Sequence, residues 1–349
     1  MRKKYFYIFK LQQLIFPLII LLFTGCLIIF SKTNLSAAKS GLVLWANSII
    51  PVLFPFFVAT ELLSHTNLTY YLGKFLNKFM KPIFNVRGEG SFAFIMGIIS
   101  GYPIGAKIAA NFRQNNICSK EECERLLSFT NNSGPLFIIG TVGITMFGNS
   151  TIGFLLLITH LLASLTVGFI FRFWKFHSKS TIPHNSHFQN SNENISLSNL
   201  GGSIGNSISS AINTILLIGG FVVLFSVIIS IFEKSQLLDI LSNCLKPLSK
   251  FFNIPIEFNN GIVSGILELT NGLNIICNIP SKKLSINIII ASFLLGLGGF
   301  SILLQVWSSI AKTDLSIKPY ILGKLLHGCF SAFYTFLFMQ SFVFFNFDL

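Results

Sequence analysis

The chain alternates long apolar runs with short polar punctuation. Runs at Leu11–Phe30, Leu42–Leu63, Phe92–Ala110, Leu126–Phe147, Thr151–Phe173, Ala211–Phe232, Phe258–Cys277, Ile286–Ile310 and Tyr320–Phe345 are each of hydrocarbon length. At 1.5 Å per residue, about 20 residues of helix span a ~30 Å bilayer core. Two further stretches, Tyr70–Phe84 and Gln236–Phe252, are amphipathic, and each holds a Lys-Pro pair, Lys81-Pro82 and Lys246-Pro247. Both predict helices lying in the membrane interface. The longest polar stretch, Lys175–Asn206, is rich in Ser, Asn and His and reads as a mobile linker. Its His177, His184 and His187 suit a solvated loop better than a metal site.

The order of elements repeats. A shift of 164 residues carries Ser100-Gly101 onto Ser264-Gly265, Ser128-Phe129 onto Ser292-Phe293, and Gly134 onto Gly298. Each match is weak alone, but the shared offset and order predict an internal repeat. The expected division is an N-terminal transmembrane helix with a short loop over 1–40, a first repeat over 41–174, the linker over 175–206 and a second repeat over 207–349. Arg2, Lys3 and Lys4 before the first run resemble the start of a signal peptide, and Thr24-Gly25-Cys26 resembles the end of a lipoprotein cleavage site. Phe23 stands where that site needs a small aliphatic residue, so a retained helix is expected.

Charge decides how the repeats are oriented. If all nine runs cross, Lys and Arg divide 14 to 11 between the two sides, which is hardly a bias. If Phe92–Ala110 and Phe258–Cys277 are instead re-entrant hairpins, only Lys32, Lys39, Lys234, Lys246, Lys250, Lys282 and Lys283 fall outside, and the other 18 lie on the cytoplasmic side. The second assignment obeys the positive-inside bias and inverts the second repeat.

Composition agrees with a polytopic membrane protein. Only 11% of the 349 residues are charged, against about 25% in soluble domains. The net charge of +13 sits in short loops, with no basic stripe of stacking aromatics for nucleic acid. Six scattered cysteines include no C-x-x-C and suit reduced structural thiols. No phosphate loop, H-E-x-x-H or G-x-S-x-G is present, and no cofactor or metal is expected.

Non-helical backbone at membrane depth survives only where protein buries it or water lines it, so the broken segments are the places to look for a site. The first is Ser100-Gly101-Tyr102-Pro103-Ile104-Gly105-Ala106-Lys107 and the second Thr130-Asn131-Asn132-Ser133-Gly134-Pro135. Their counterparts run from Ser264 to Gly272 and from Gly296 to Ser301. Candidate substrate-binding residues are Ser100, Tyr102, Lys107, Thr130, Asn131, Asn132, Ser133, Glu268, Thr270 and Asn271. Glu268 inside an apolar run costs roughly 2.5–3.5 kcal/mol and needs a partner, for which Lys107 of the equivalent hairpin is the expectation. Glu61 is expected to snorkel to the interface, and His160 and His327 to pack in the core.

These same segments, from Ser100 to Lys107 and from Glu124-Arg125-Leu126-Leu127-Ser128-Phe129 through Pro135-Leu136-Phe137, closely resemble the YlbJ family of sporulation integral membrane proteins. Gly41-Leu42 and Pro51 to Pro55-Phe56-Phe57 fit as well, and the resemblance covers nearly the whole chain after residue 40. It implies two repeats of the nucleoside-recognition or Gate type, an endospore-forming bacterium, and a multi-pass place in its inner membrane, in the mother cell. It further implies a need for the protein in building the spore cortex. The expectation is an all-α membrane protein that moves a small solute or ion, with a non-transporting role in a sporulation assembly as the alternative. Further copies of itself or other sporulation membrane proteins are the protein partners to expect. Single cysteines replacing Lys120 and Lys179 should resist an impermeant thiol reagent applied to intact cells; labelling of both would overturn the inverted arrangement.

Overall fold

The computed structural model describes residues 2–64, 66, 68–175, 200–280 and 284–344. His177, Lys179, His184 and His187 lie outside the described residues. Every regular element is helical: α1 (Arg2–Ile29), α2 (Ser31–Leu44), a π-helical stretch at Trp45–Ile49, α3 (Ile50–Ser64), α4 (Leu68–Phe84), α5 (Gly90–Ile99), α6 (Ile104–Gln114) and α7 (Lys120–Phe129). There follow a second π-helical stretch at Phe137–Met146, α8 (Ser150–Phe171), α9 (Leu200–Lys234), α10 (Leu237–Phe251), α11 (Phe258–Leu267), α12 (Leu269–Asn278), α13 (Leu284–Leu297), α14 (Gly299–Ile310) and α15 (Lys318–Phe344).

Among the described residues, four helical stretches are long and apolar enough to cross a membrane: Ser150–Phe171, Gly201–Lys234, Ser285–Ile310 and Lys318–Gln340. At the N-terminus, Pro17–Ile29 meets Ser31–Asn47 at a bend of 98°. Leu14, Ile15, Leu18, Ile19, Leu21 and Leu22 of α1 are exposed, as befits a helix whose neighbours are lipid tails. Two of the nine runs are each split into a pair of half-length helices. Phe92–Ala110 folds as α5 and α6, of 10 and 11 residues, and Phe258–Cys277 as α11 and α12, of 10 each. Each arm is about 15 Å long, half the hydrocarbon thickness. Gly101 at φ +79° turns the first hairpin, and extended backbone at Glu268 (φ −142°, ψ 118°) breaks the second.

The ends of these elements mark two faces. Arg113 at the end of α6 holds Asp314, just beyond α14, through two bonds of 2.7 and 3.0 Å. Arg125 in α7 donates to the carbonyls of Asn85 (2.7 Å) and Trp174 (3.0 Å), so α4 and α8 end on that same face. Glu124, fully buried, accepts from the Trp174 indole and Lys175 at 2.8 Å and from the Ser316 amide at 3.2 Å, which adds the start of α15. From this basic face α9, 35 residues long, runs about 50 Å to the other side, where α10 and the second hairpin follow. The first hairpin meets the early part of α9, through Lys107 and Ser210 at 2.9 Å, and the second meets its later part, through Asn271 and Ser226 at 3.2 Å.

Local chemistry starts these elements where they start. Ser119 accepts from the Glu122 amide at 3.2 Å while Glu122 accepts from the Ser119 amide at 2.8 Å, a capping box that opens α7. On the far side, Ser249 donates to Asn259 at 2.5 Å and fastens α10 to α11. The Trp45 indole fills the space beside Gly219 and donates to the Ile215 carbonyl at 3.0 Å, pinning the first half against α9.

Arg113 holds the Asp314 carboxyl below its ordinary value, chiefly by hydrogen bonding. A lowered carboxylate stabilises above its unfolded pKa of ~4, and the contribution disappears as pH falls through the lowered folded value. Because the pair is partly exposed, Asp314→Asn should cost less than about 1 kcal/mol at pH 7. Melting curves of the wild type and this variant should differ at pH 7 and converge below about pH 4.

Candidate functional site

The tip of each hairpin rests on a broken span. A Cβ at Gly97 or Gly105 would fall on the Thr130 carbonyl, and one at Gly101 would lie 2.8 Å from the Gly134 amide nitrogen. In the second half, a Cβ at Gly299 would lie 2.8 Å from the Gly265 carbonyl oxygen, and Gly272 sits directly on Gly265. Gly298 and Gly299 have φ +81° and +78°, a conformation that leads the chain from α13 into α14 and suits glycine. Gly101, which touches Gly134, thus has its counterpart at the 164-residue offset in Gly265, which touches Gly299, one residue beyond the counterpart of Gly134.

Around these contacts the predicted residues divide. Ser100 is buried and hydrogen-bonded to Thr60 of α3. Thr130 donates to the Leu126 carbonyl at 2.8 Å, and Asn132 donates to Phe129 (3.0 Å) and Ser164 (3.2 Å). The Ser133 amide donates to His160 Nε2 at 3.2 Å. These four hold the break in shape. Tyr102 packs edge-on against Phe137 and lies within electrostatic range of Glu268 and Tyr320. Asn131 reaches the Tyr320 hydroxyl at 3.4 Å. Thr270 and Asn271 form the first turn of α12, and the Asn271 amide group donates to Ser226 of α9 at 3.2 Å.

The expected Lys107–Glu268 pair does not form. Glu268 instead caps α12, accepting from the Thr270 and Asn271 amides at 3.1 and 2.8 Å. A helix N-terminus offers free N–H groups and a partial positive charge, so it answers the carboxylate at no distance. Lys107 turns away to Glu61 (3.4 Å) and Ser210 (2.9 Å). Glu61, partly exposed, is the partner of that ammonium.

Sequence reasoning passed over Tyr320 and Lys324 on α15. Tyr320 is 1% exposed and closes the centre between the halves. Lys324 is also buried, and its Nζ lies 3.5 Å from His327 Nδ1. Among the described residues no carboxylate pairs with it. His327 Nε2 donates to the His160 carbonyl at 3.0 Å, and the two rings lie 4.3 Å apart. A lysine within an apolar run was signal enough, by the reasoning applied to Glu268. Buried oxygens of Asn131, Asn132, Ser264 and Gln305 at these tips and breaks have no protein partner. Buried acceptors of that kind are rare, and they mark where a polar solute or water would bind. Among the described residues, no three His, Cys, Asp or Glu side chains converge.

The arrangement has a solved counterpart. The structure of CNTnw in an inward-facing substrate-bound state matches with a TM-score of 0.51 over 91% of this chain and 86% of that one, at 15% identity. At that identity the match is one of fold. Residues 46–175, which hold the first hairpin and its break, match the Gate family model, described as nucleoside recognition. The sporulation integral membrane protein YlbJ of Bacillus subtilis (strain 168) is 36% identical over 339 residues, covering 94% of this chain and 83% of that one. The chain belongs to the YlbJ family of sporulation integral membrane proteins. Family and fold together make it a multi-pass membrane protein with broken helices at its centre.

The glycine contacts make a clear prediction. Gly97→Ala should destabilise by at least about 1–3 kcal/mol, because backbone rather than a movable side chain blocks the methyl group. Gly220, with nothing within 4 Å of its added Cβ, is the control. Gly220→Ala should be neutral or stabilising by up to ~1 kcal/mol. Thermal unfolding in detergent distinguishes the two, and equal effects would mean that the hairpin does not rest on the break.

Proposed function

We propose that this protein is a secondary transporter or exporter of a small solute that spore cortex formation requires, working in a mother-cell-derived membrane. The observation that carries the reading is the central pair of hairpins. Two half-length hairpins meet two broken helical stretches, and among the described residues buried oxygens of Asn131, Asn132 and Ser264 lie there without a protein partner. Irregular backbone at membrane depth is expensive unless it lines a path or a site, and inverted repeats with broken helices are the usual framework for alternating access. The likeness to a protein seen inward-facing with substrate bound supports the same reading.

In this reading Tyr102, Asn131, Glu268, Thr270 and Asn271 face the solute, joined by Tyr320. Ser100, Thr130, Asn132 and Ser133 shape the break, and Lys107 flanks the site. The role is passage of a solute, not a chemical step on it. One alternative is a non-transporting membrane part of a sporulation assembly, the process named for the Bacillus subtilis relative.

A thermal-shift screen of the detergent-purified protein against nucleosides, cortex precursors, amino acids and divalent metals decides between them. A ligand at a hundred times its Kd stabilises by about 2.7 kcal/mol. One solute class should produce such a shift, and Asn131→Ala and Glu268→Gln should abolish it. Glu268→Gln keeps an oxygen for the α12 cap and so should retain most of the fold stability, whereas Glu268→Ala should lose about 0.5–2 kcal/mol. A well-folded protein with no shift across the panel would favour the assembly role.

A further inference from the structure

Three buried nitrogen side chains, Lys324, His327 and His160, lie between the two breaks and have no part in the reading above. α15 presses on the second break. A Cβ at Gly296 would lie 2.8 Å from the His327 carbonyl oxygen, and one at Gly298 would lie 3.6 Å from Lys324 Cε. His160 of α8 meets the first break, where its Nε2 accepts from the Ser133 amide at 3.2 Å. Between them, His327 Nε2 donates to the His160 carbonyl at 3.0 Å, and the rings stand 4.3 Å apart. One chain of contacts thus runs from break to break.

The partners fix where the protons sit. A backbone amide only donates, so His160 Nε2 presents a lone pair and the neutral ring carries its proton on Nδ1, which is buried without a protein partner. A carbonyl only accepts, so His327 carries its proton on Nε2 and turns the lone pair of Nδ1 towards Lys324 Nζ, 3.5 Å away. Lys324 and His327 can therefore share one further proton. A second would set like charges side by side in apolar surroundings. No other charge faces the cluster from the helices packed on α15, namely α7, α8 and α13. α13 has no titratable side chain, and α8 offers His160 alone. α7 brings Ser128 against Gly323, while its charged residues, Lys120 to Arg125, stand at its other end. On α15 itself Lys318 and Cys329 are exposed, Tyr334 bonds to Thr166, and Tyr320 stands one turn before Lys324. Sodium or potassium would want oxygen ligands, and each ring's Nε2 is already engaged against a transition metal.

We propose that Lys324, His327 and His160 hold one exchangeable proton, and that its presence or absence sets how the two breaks are arranged. The step is acid–base alone. An N–H bond forms at Lys324 Nζ with a proton from water and breaks when the proton returns to water, and no other bond changes. α13 ends at Leu297, so the second break offers Lys324 free carbonyls and the negative end of a helix dipole. An ammonium draws on them and a neutral amine does not, which is how the proton acts on the break. Taken as the coupling ion of transport, this proton rests on the transport reading, and Tyr320 joins its site to the solute path.

The experiment uses the full chain in nanodiscs, and the probe is the proton itself. Nitrogen NMR of labelled histidine, with His160→Gln and His327→Gln to assign the two rings among six, should show His327 protonated on Nε2 and His160 on Nδ1. The His327 and Lys324 signals should change together in one transition between about pH 5 and pH 8. Hydrogen exchange at residues 130–135 and 296–301, corrected for the intrinsic effect of pH, should change about fivefold or more across it, the size of ordinary coupling. Lys324→Gln, similar in length and uncharged, should remove that change at both breaks. Should this variant not fold, Lys324→Met takes its place, and the wild-type titration tests the site by itself. The opposite tautomer on either ring, no joint transition, or breaks that ignore it overturns the proposal. So does an unchanged response in Lys324→Gln, which would make the lysine a packing residue. A solute that shifts the melting temperature while the cluster stays silent would leave the transport reading standing as this one falls. A proton transition that moves the breaks, with no solute shift across the panel, would keep the proton site and remove the transport reading.

Discussion

Backbone that is not helical must find its hydrogen-bond partners inside the protein when no water is near. Everything at the centre of this molecule follows from how that is achieved. Each hairpin tip lies directly on the break of a spanning helix, so that the two irregular stretches cover one another. Such an approach leaves no room for side chains. Gly97, Gly101 and Gly105 in one half, and Gly265, Gly272 and Gly299 in the other, are therefore where the packing needs them. Tip and break form one unit in each half.

Three charged groups in the bundle are answered close at hand, while Lys324 meets only His327. Glu268 is held by the two amides of the helix it begins, Lys107 by Glu61 and Ser210, and Glu124 by Trp174, Lys175 and a backbone amide. None of these needs the opposite hairpin. The seam between the halves is instead drawn by mostly uncharged contacts, Asn131 with Tyr320 and Trp45 with the Ile215 carbonyl, and by the one exposed clamp of Arg113 on Asp314. Buried hydrogen bonds also cross the seam, from His327 to the His160 carbonyl at 3.0 Å and from Thr335 to Thr159 at 3.0 Å, so α8 and α15 pack as one body.

Helix α9 gives this frame two environments at once. Its exposed apolar series, Ile204, Ile208, Ile212 and Leu216, meets lipid, while a stripe of Asn206, Ser209, Ser210, Asn213 and Thr214 borders the space beside the first hairpin. It meets the first hairpin through Ser210 and the second through Ser226. Both hairpins and the polar space beside the first thus depend on one helix, and Trp45 packed against Gly219 fixes its place.

Much of this was legible in the chain itself. The apolar runs and the low charge determine an all-helical multi-pass protein, and the offset of 164 with the lopsided placement of Lys and Arg predicts an inverted repeat, because bilayer thickness and the positive-inside bias act on composition and spacing alone. Gly101 and Pro103, and Gly298 with Gly299, announce the breaks, since a local backbone conformation is written in local residues. Which charge meets which could not be read the same way. Glu268 and Lys107 were the only obvious opposite charges in equivalent hairpins, yet each had a nearer answer, in a helix terminus and in Glu61. Lys324, Tyr320 and the stripe on α9 gained their meaning from neighbours 100 or more residues away in the chain. Pairing and exposure are properties of three-dimensional proximity, which packing settles after the backbone is placed, so only the tertiary structure decided them.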